Sequence, residues 1–290
     1  MRFVKATAWL NLIGNLIIIG TGGAVRLTES GLGCDTWPMC TGESWTPTPE
    51  DGIHGIIEFS NRLMSPVLAV FAILALIAVW RMWQTRKDLW VHALILGSGI
   101  VLQAVVGGIT VLTGLNAVIV ATHYLASAAL VGVATSFLVR ASWTAGPRER
   151  AIPMRLYLIS HITTAILALV LIGGVITTAN GPHSGDADVR RDSAMWETFV
   201  HVHAWFSYAL VTALVILLVG ALITRAWRYL ASIVGVIVIV GVQIIVGITQ
   251  ANTGIPPLLV GIHMVLAGIA VIAMVLMVYA TKRPVEQKAA

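Results

Sequence analysis

Apolar residues run through this chain in long blocks broken by short polar stretches. Blocks of about the length that crosses a bilayer, roughly 20 residues, occur at 6–25, 63–82, 89–113, 117–139, 156–178, 199–223, 229–251 and 257–280. They predict eight membrane-spanning helices and an all-α membrane protein. The first block is long and lacks a small-residue cleavage site followed by a polar mature chain, so it is expected to remain as a helix. Segments 26–57 and 179–198, rich in Gly, Pro and polar residues, predict ordered loops or short surface helices. Segment 140–155, RASWTAGPRERAIPMR, separates two sets of four spans. Four is even, so both sets enter and leave on one side, which makes two four-helix bundles related as a parallel repeat. The expected division is an N-terminal half at 1–139, a linker at 140–155 and a C-terminal half at 156–290.

Composition narrows this reading. Of 290 residues, 58% are hydrophobic and 11% charged, which leaves almost nothing for a separate soluble domain. The net charge of +5 could point to nucleic acid, but its placement says otherwise. Arg2, Lys5, Arg81, Arg86, Lys87, Arg140, Arg148, Arg150, Arg155, Arg225, Arg228, Lys282, Arg283 and Lys288 fall on one side of the eight-span arrangement. Only Arg26, Arg62, Arg190 and Arg191 fall on the other. The asymmetry puts both termini in the cytoplasm and gives the basic residues an orienting role, with no nucleic-acid partner. Ten acids, Glu29, Asp35, Glu43, Glu50, Asp51, Glu58, Asp186, Asp188, Asp192 and Glu197, lie outside. Trp80, Trp83, Trp90, Trp143 and Trp227 form an aromatic belt at the inner interface. No transit peptide precedes the first span, so the expected address is a bacterial-type plasma membrane, with the lipid bilayer as first partner.

The two halves repeat each other most clearly at QAVVGGITVLTGLNAVIVATH from Gln103 and QIIVGITQANTGIPPLLVGIH from Gln243. Gln, Val, Gly, Thr, Gly, Val and His coincide at 103/243, 106/246, 107/247, 113/253, 114/254, 120/260 and 123/263. A shared fold explains matched glycines, and Gly107, Gly108 and Gly247 are expected at close helix contacts. A histidine kept at one depth in both copies needs another reason, because buried ionisable groups in a bilayer are costly and usually functional. His92 and His161 sit near cytoplasmic helix ends, and His183 in an exposed outer loop; none needs a special role. His123, His201, His203 and His263 lie within about two turns of the outer ends of spans four, six and eight.

Spans six and eight both enter from outside, so His263 can face His203 or His201 at equal depth. Two neutral imidazoles across a four-helix interior suit the axial positions of a haem iron, whereas zinc wants more ligands or a carboxylate nearby. His201 and His203 cannot both point inward, and His203 fits the repeat offset better. In the first half span four supplies His123, and span two offers Asn61 where the repeat places His203. His54, Glu58 and Asn61 share one helical face, at i, i+4 and i+7, with Arg62 beside them. A carboxylate at that place suits proton abstraction or stabilisation of developing positive charge; a solvated carboxylate at a helix start is the plainer account. Cys34 and Cys40, both in the first outer loop, are spaced for a small closed loop in an oxidising compartment. Structural staple and redox role are both open.

These residues resemble the haem A synthase family over nearly the whole chain: GGAVRLTESGLGCDTWPMC at 22–40, IEFSNR at 57–62, TH at 122–123, NGPHSGD at 180–186, HVHAW at 201–205 and the NTG segment ending at His263. The resemblance implies a haem b between His203 and His263. It further implies a first half that binds haem O and oxidises its C8 methyl to a formyl group by successive hydroxylations and loss of water. Glu58 is similar to the family's catalytic carboxylate, and Cys34 and Cys40 to its outer-loop cysteine pair. Many members have His where this chain has Asn61, so either His54 substitutes or His123 binds iron alone, with Glu58 or water opposite. The resemblance also implies a farnesyltransferase, the haem O synthase, as partner, and leaves the electron acceptor open. Two other readings compete. A di-haem membrane electron carrier would modify neither haem, though it should prefer two closed sites. A repeat-built transporter would use the histidines as proton relays, with Gln103 and Gln243 as its thin mid-span support.

Overall fold

The computed structural model describes residues 1–189 and 194–285. Arg190, Arg191, Asp192 and Lys288 of the charge balance lie outside the described residues, as does the very end of the C-terminal half. Among the described residues there are eight long helices: α1 (Arg2–Leu27), α2 (Gly52–Val79), α3 (Lys87–Leu112), α4 (Ala117–Ser142), α5 (Met154–Asn180), α6 (Trp196–Ile223), α7 (Trp227–Asn252) and α8 (Pro257–Ala280). Each is long and apolar enough to cross a membrane. The chain is a multi-pass membrane protein. Its outward faces carry large apolar side chains that water would not tolerate in such number, among them Val118, Ile223, Ile245 and Leu258.

The helices pack α1 with α2, α2 with α3, α3 with α4 and α4 with α1; a second ring joins α5 with α6, α6 with α7, α7 with α8 and α8 with α5. α8 also packs on α1 and α4, and α4 on α5, so the rings share a seam. α1 pays for its central place with polar groups. Thr7, Asn11 and Asn15, one face at i, i+4 and i+8, are buried. Asn11 donates to the Thr7 and Phe71 carbonyls at 2.8 and 2.9 Å, tying α1 to α2. Without water, such bonds must be made inside the protein.

Two boundaries differ from the hydropathy pattern. α2 begins at Gly52, well before the apolar block at 63. A 3-10 turn at Pro49–Asp51 starts it, with the Thr48 amide donating to Asp51 Oδ2 at 2.7 Å in a reciprocal cap. The extra turns carry His54, Glu58, Asn61 and Arg62, whose polarity hides them from a hydropathy window. The linker is also shorter than 140–155, because α4 runs to Ser142 and α5 starts at Met154. What remains is ordered: β1 (Arg148–Arg150) pairs antiparallel with β2 (Lys282–Pro284), directly after α8.

At this basic end His92 has an ordinary structural place. Its Nδ1 bonds the Asp88 carbonyl at 2.6 Å and its Nε2 the Ser136 hydroxyl at 2.9 Å. Ser136 is hydrogen-bonded to Tyr279, whose hydroxyl accepts from Arg140 Nε at 2.7 Å. His183 at the opposite, cysteine-bearing end is not the free exposed residue the sequence implied. It is half-buried, with Nε2 donating to the Ile255 carbonyl at 2.9 Å and its own carbonyl accepting from Arg26 Nε at 2.5 Å.

Candidate functional site

The first outer loop folds onto the start of α2. Cys34 and Cys40 form a disulfide, and both are fully buried. Gly33 lies so close to the helix that a Cβ there would stand 2.3 Å from the His54 carbonyl group, so only glycine fits. Glu58, 4% exposed, accepts from the Cys34 amide at 2.6 Å through Oε2. Its Oε1 accepts from Arg62 Nε at 3.0 Å and Nη2 at 2.6 Å. Arg62 also donates to the Cys34 carbonyl through Nη2 and the Met39 carbonyl through Nη1, both at 3.0 Å. The Glu58–Arg62 pair thus grips the disulfide loop near both of its cysteines. A charge pair this buried depends on the further hydrogen bonds that both partners make.

The same loop roofs the first bundle. Trp37 stands against α3 at Gly108, where a Cβ would come within 2.3 Å of the indole. One residue away, Gly107 faces the His123 ring, with a would-be Cβ 3.4 Å from Cε1. Gly107 and Gly247 lie at close contacts with the neighbouring helices α4 and α8, as expected, whereas Gly108 meets the outer loop. Their missing Cβ atoms make room for rings: His123, Trp37 and, at Gly247, His263 at 3.1 Å.

The stripe of His54, Glu58 and Asn61 divides. His54 is exposed and its Nδ1 is hydrogen-bonded to Ser30 Oγ at 2.9 Å, so it belongs to the loop anchor. Asn61 faces α1, where its Oδ1 accepts from the Thr21 hydroxyl at 2.7 Å. Only Glu58 is buried. His123 is half-buried and its Nδ1 has no hydrogen-bond partner.

The second half brings two imidazoles together. The His203 and His263 ring centroids are 6.5 Å apart, at 71° between planes. His201 is exposed, and it is His203 that meets His263. A metal ion shared by two ring nitrogens, at about 2 Å per bond with each nitrogen about 1 Å from its ring centre, wants centroids roughly 6 Å apart. The observed spacing suits that. His203 Nδ1 donates to the Val170 carbonyl at 3.0 Å, which fixes the ring and leaves Nε2 for a ligand. Gly174 and Gly247 clear space beside the two rings, at 3.0 and 3.1 Å from a would-be Cβ. His263 Nδ1, like that of His123, is an orphaned buried atom. The residues present fit a haem held by two histidines in the second half and by one in the first.

The two sites are adjacent. Tyr124, next to His123, donates its hydroxyl to the carbonyl of Met264, next to His263, at 3.0 Å. On the cysteine-bearing side the halves interlock: the Gly31 amide donates to the Gly185 carbonyl at 2.7 Å, and Arg26 Nη2 to the Thr178 carbonyl at 2.9 Å. Sequence reasoning did not single out Thr21, Trp37 or Tyr124. Trp37 lay inside a quoted motif, and Tyr124 beside a quoted histidine, but their partners are far away in the chain.

Residues 5–276 match the family model COX15-CtaA, described as cytochrome oxidase assembly protein. A "Heme A synthase" of Halalkalibacterium halodurans is 34% identical over 139 residues, 48% of this chain and 45% of that protein. Proteins of the same description from Listeria welshimeri and Geobacillus thermodenitrificans are 29% and 30% identical over 127 residues, 42% of this chain and 40% and 38% of theirs. The chain thus aligns with less than half the length of these curated relatives.

Proposed function

The chain belongs to the COX15-CtaA family of cytochrome oxidase assembly proteins, and from that premise we propose that it is a membrane oxidoreductase that converts haem O to haem A. Haem O is the substrate, bound in the first half with His123 as its iron ligand. Its C8 methyl is oxidised by successive hydroxylations, and loss of water from the geminal diol leaves the formyl group; the net change, CH3 + H2O to CHO with release of protons and electrons, passes its electrons to an external acceptor. His203 and His263 would hold a haem b, which would relay those electrons in the second half.

The observation that carries this reading is the inequality of two otherwise repeated sites. His203 meets His263 at 6.5 Å, while Asn61, in the corresponding place, is turned to Thr21. One site is closed, as a relay wants, and one is open, as a reacting substrate wants. Glu58 is the proposed catalytic carboxylate. Arg62 orients it, and burial removes competing water. Cys34 and Cys40 hold the roof through the Cys34 amide and carbonyl. His54 acts as an anchor of that roof through Ser30. The charge asymmetry supports cytoplasmic termini in a plasma membrane, and the farnesyltransferase that makes haem O is the proposed supplier.

A di-haem carrier is the runner-up, and the Asn61–Thr21 bond counts against it. The test is chromatography of haems extracted from the protein after co-expression with a haem O synthase. Haem A or its hydroxylated precursor beside haem b is the expected result. Haem b alone would favour the carrier, and no haem would overturn both readings.

A further inference from the structure

Each half contains the same unfinished hydrogen-bond arrangement. Gln103 on α3 donates its Nε2 to the His123 carbonyl on α4 at 2.9 Å; Gln243 on α7 donates its Nε2 to the His263 carbonyl on α8, also at 2.9 Å. In both copies the Gln Oε1 is buried without a partner, and so is the His Nδ1. Each copy therefore leaves an acceptor on the glutamine and a potential donor on the histidine whose carbonyl it holds. Orphaned buried polar atoms are rare, and each one calls for a reason. The same pairing in two copies of the repeat rules out accident.

We propose that Gln103 and Gln243 are positioning residues for the axial histidines: each side-chain carbonyl takes the Nδ1 proton of its histidine, directly or through one water, when Nε2 is on iron. The inference rests on the reading of His123 and His263 as haem ligands and deepens it. His203 shows what the arrangement lacks elsewhere, since its Nδ1 already has the Val170 carbonyl at 3.0 Å. Ligating histidines almost always give their second nitrogen to such a partner, which sets ring orientation and ligand strength. His263 Nδ1 meets no such carbonyl among the described residues. A glutamine from the neighbouring helix fills that need, and its amide is already fixed by the histidine's own backbone. Gly107 and Gly247, one turn along from each glutamine, leave the ring room to settle into that bond.

The first half adds a second anchor. Gln103 Nε2 also donates to Ser127 Oγ at 2.5 Å, and the repeat has Ala267 at that place. The glutamine serving the one-sided site is held more firmly than the one serving the paired site.

The test uses the full-length protein purified with its haem, and reads the midpoint potential and electron paramagnetic spectrum of the second-half haem. An acceptor on Nδ1 makes the imidazole a stronger donor and favours ferric iron. Gln243→Leu should raise the potential and lower haem retention by about 10- to 100-fold. Gln243→Glu, a stronger acceptor, should shift the potential the opposite way. Gln243→Met, apolar and closer in length, should repeat the Leu shift if the Leu variant packs poorly. Shifts of the same sign in the Leu and Glu variants, or none, would overturn the proposal while loss of haem in His263→Ala upheld the ligand reading. Haem kept with an unchanged spectrum in His263→Ala would overturn both.

Discussion

At the scale of single residues, the proposed chemistry rests on one carboxylate and three imidazoles in unequal surroundings. Glu58 accepts from Arg62 through Oε1 and from the Cys34 amide through Oε2. Glu58→Gln keeps the shape and can still accept from Cys34, but loses the charge. Conversion of haem O should fall about 100-fold or more, the size of a positioned general base, while bound haem stays near the wild-type amount; product chromatography beside a haem assay checks both. The histidines should separate by site. His203→Ala should remove haem b, whereas His123→Ala should abolish haem A and leave the second-half haem in place; a His123→Ala variant still making haem A would refute the one-sided site. Repeat offset and helical spacing singled out His123, His203, His263 and Glu58, and the structure buries Glu58 and brings His203 to His263. What the sequence could not show was direction. Asn61 and Glu58 share a helical face on paper, yet one turns to Thr21 and the other to Cys34, because partners distant in the chain decide each rotamer.

At the scale of elements, hydropathy located every span and misplaced the start of the one that matters most. A window that counts apolar residues cannot see the first turns of α2, since their polar groups are satisfied by the outer loop and not by water. The loop and helix form one unit: Gly33 on the His54 backbone, Arg62 on two loop carbonyls, Trp37 on Gly108. Replacing Cys34 and Cys40 together by Ser removes a short closure worth about 2 kcal/mol to the loop. Protease added to the cysteine-bearing face should then cut within residues 30–45 of the variant and spare the wild type. Equal protection of both would mean that Glu58 and Arg62 alone hold the roof. The turns after α3 and α7 show how closely the repeat extends to the backbone. Gly114 and Leu115 have φ of +59° and +58°, and Gly254 and Ile255 have +77° and +57°. For Leu and above all for β-branched Ile that region is unfavourable, so surroundings must impose it in both copies. The sequence showed the matched Thr-Gly; it could not show the strained residue that follows.

At the scale of the whole molecule, the basic residues gather at one end, with the β1–β2 ladder tying the linker to the chain after α8. A reporter that fluoresces only in the cytoplasm, fused to the C-terminus, should be bright, and a reporter active only outside should be silent there. The reverse would invert the orientation drawn from charge. The seam between halves was not legible, because it depends on Tyr124 reaching Met264 and on Arg26 reaching His183 and Thr178, contacts that no local pattern announces.

The Asn61–Thr21 bond has a kinetic meaning under the proposed assignment. A haem clasped by His203 and His263 must break two iron bonds in concert to escape, so its residence is long and it can serve through many cycles. A haem held by His123 alone breaks one. The first site can therefore release what it has finished, and an assembly factor whose product must be installed in another protein needs that turnover. Because Asn61, bonded to Thr21, offers no second iron ligand, the two copies of the repeated site would run on different clocks.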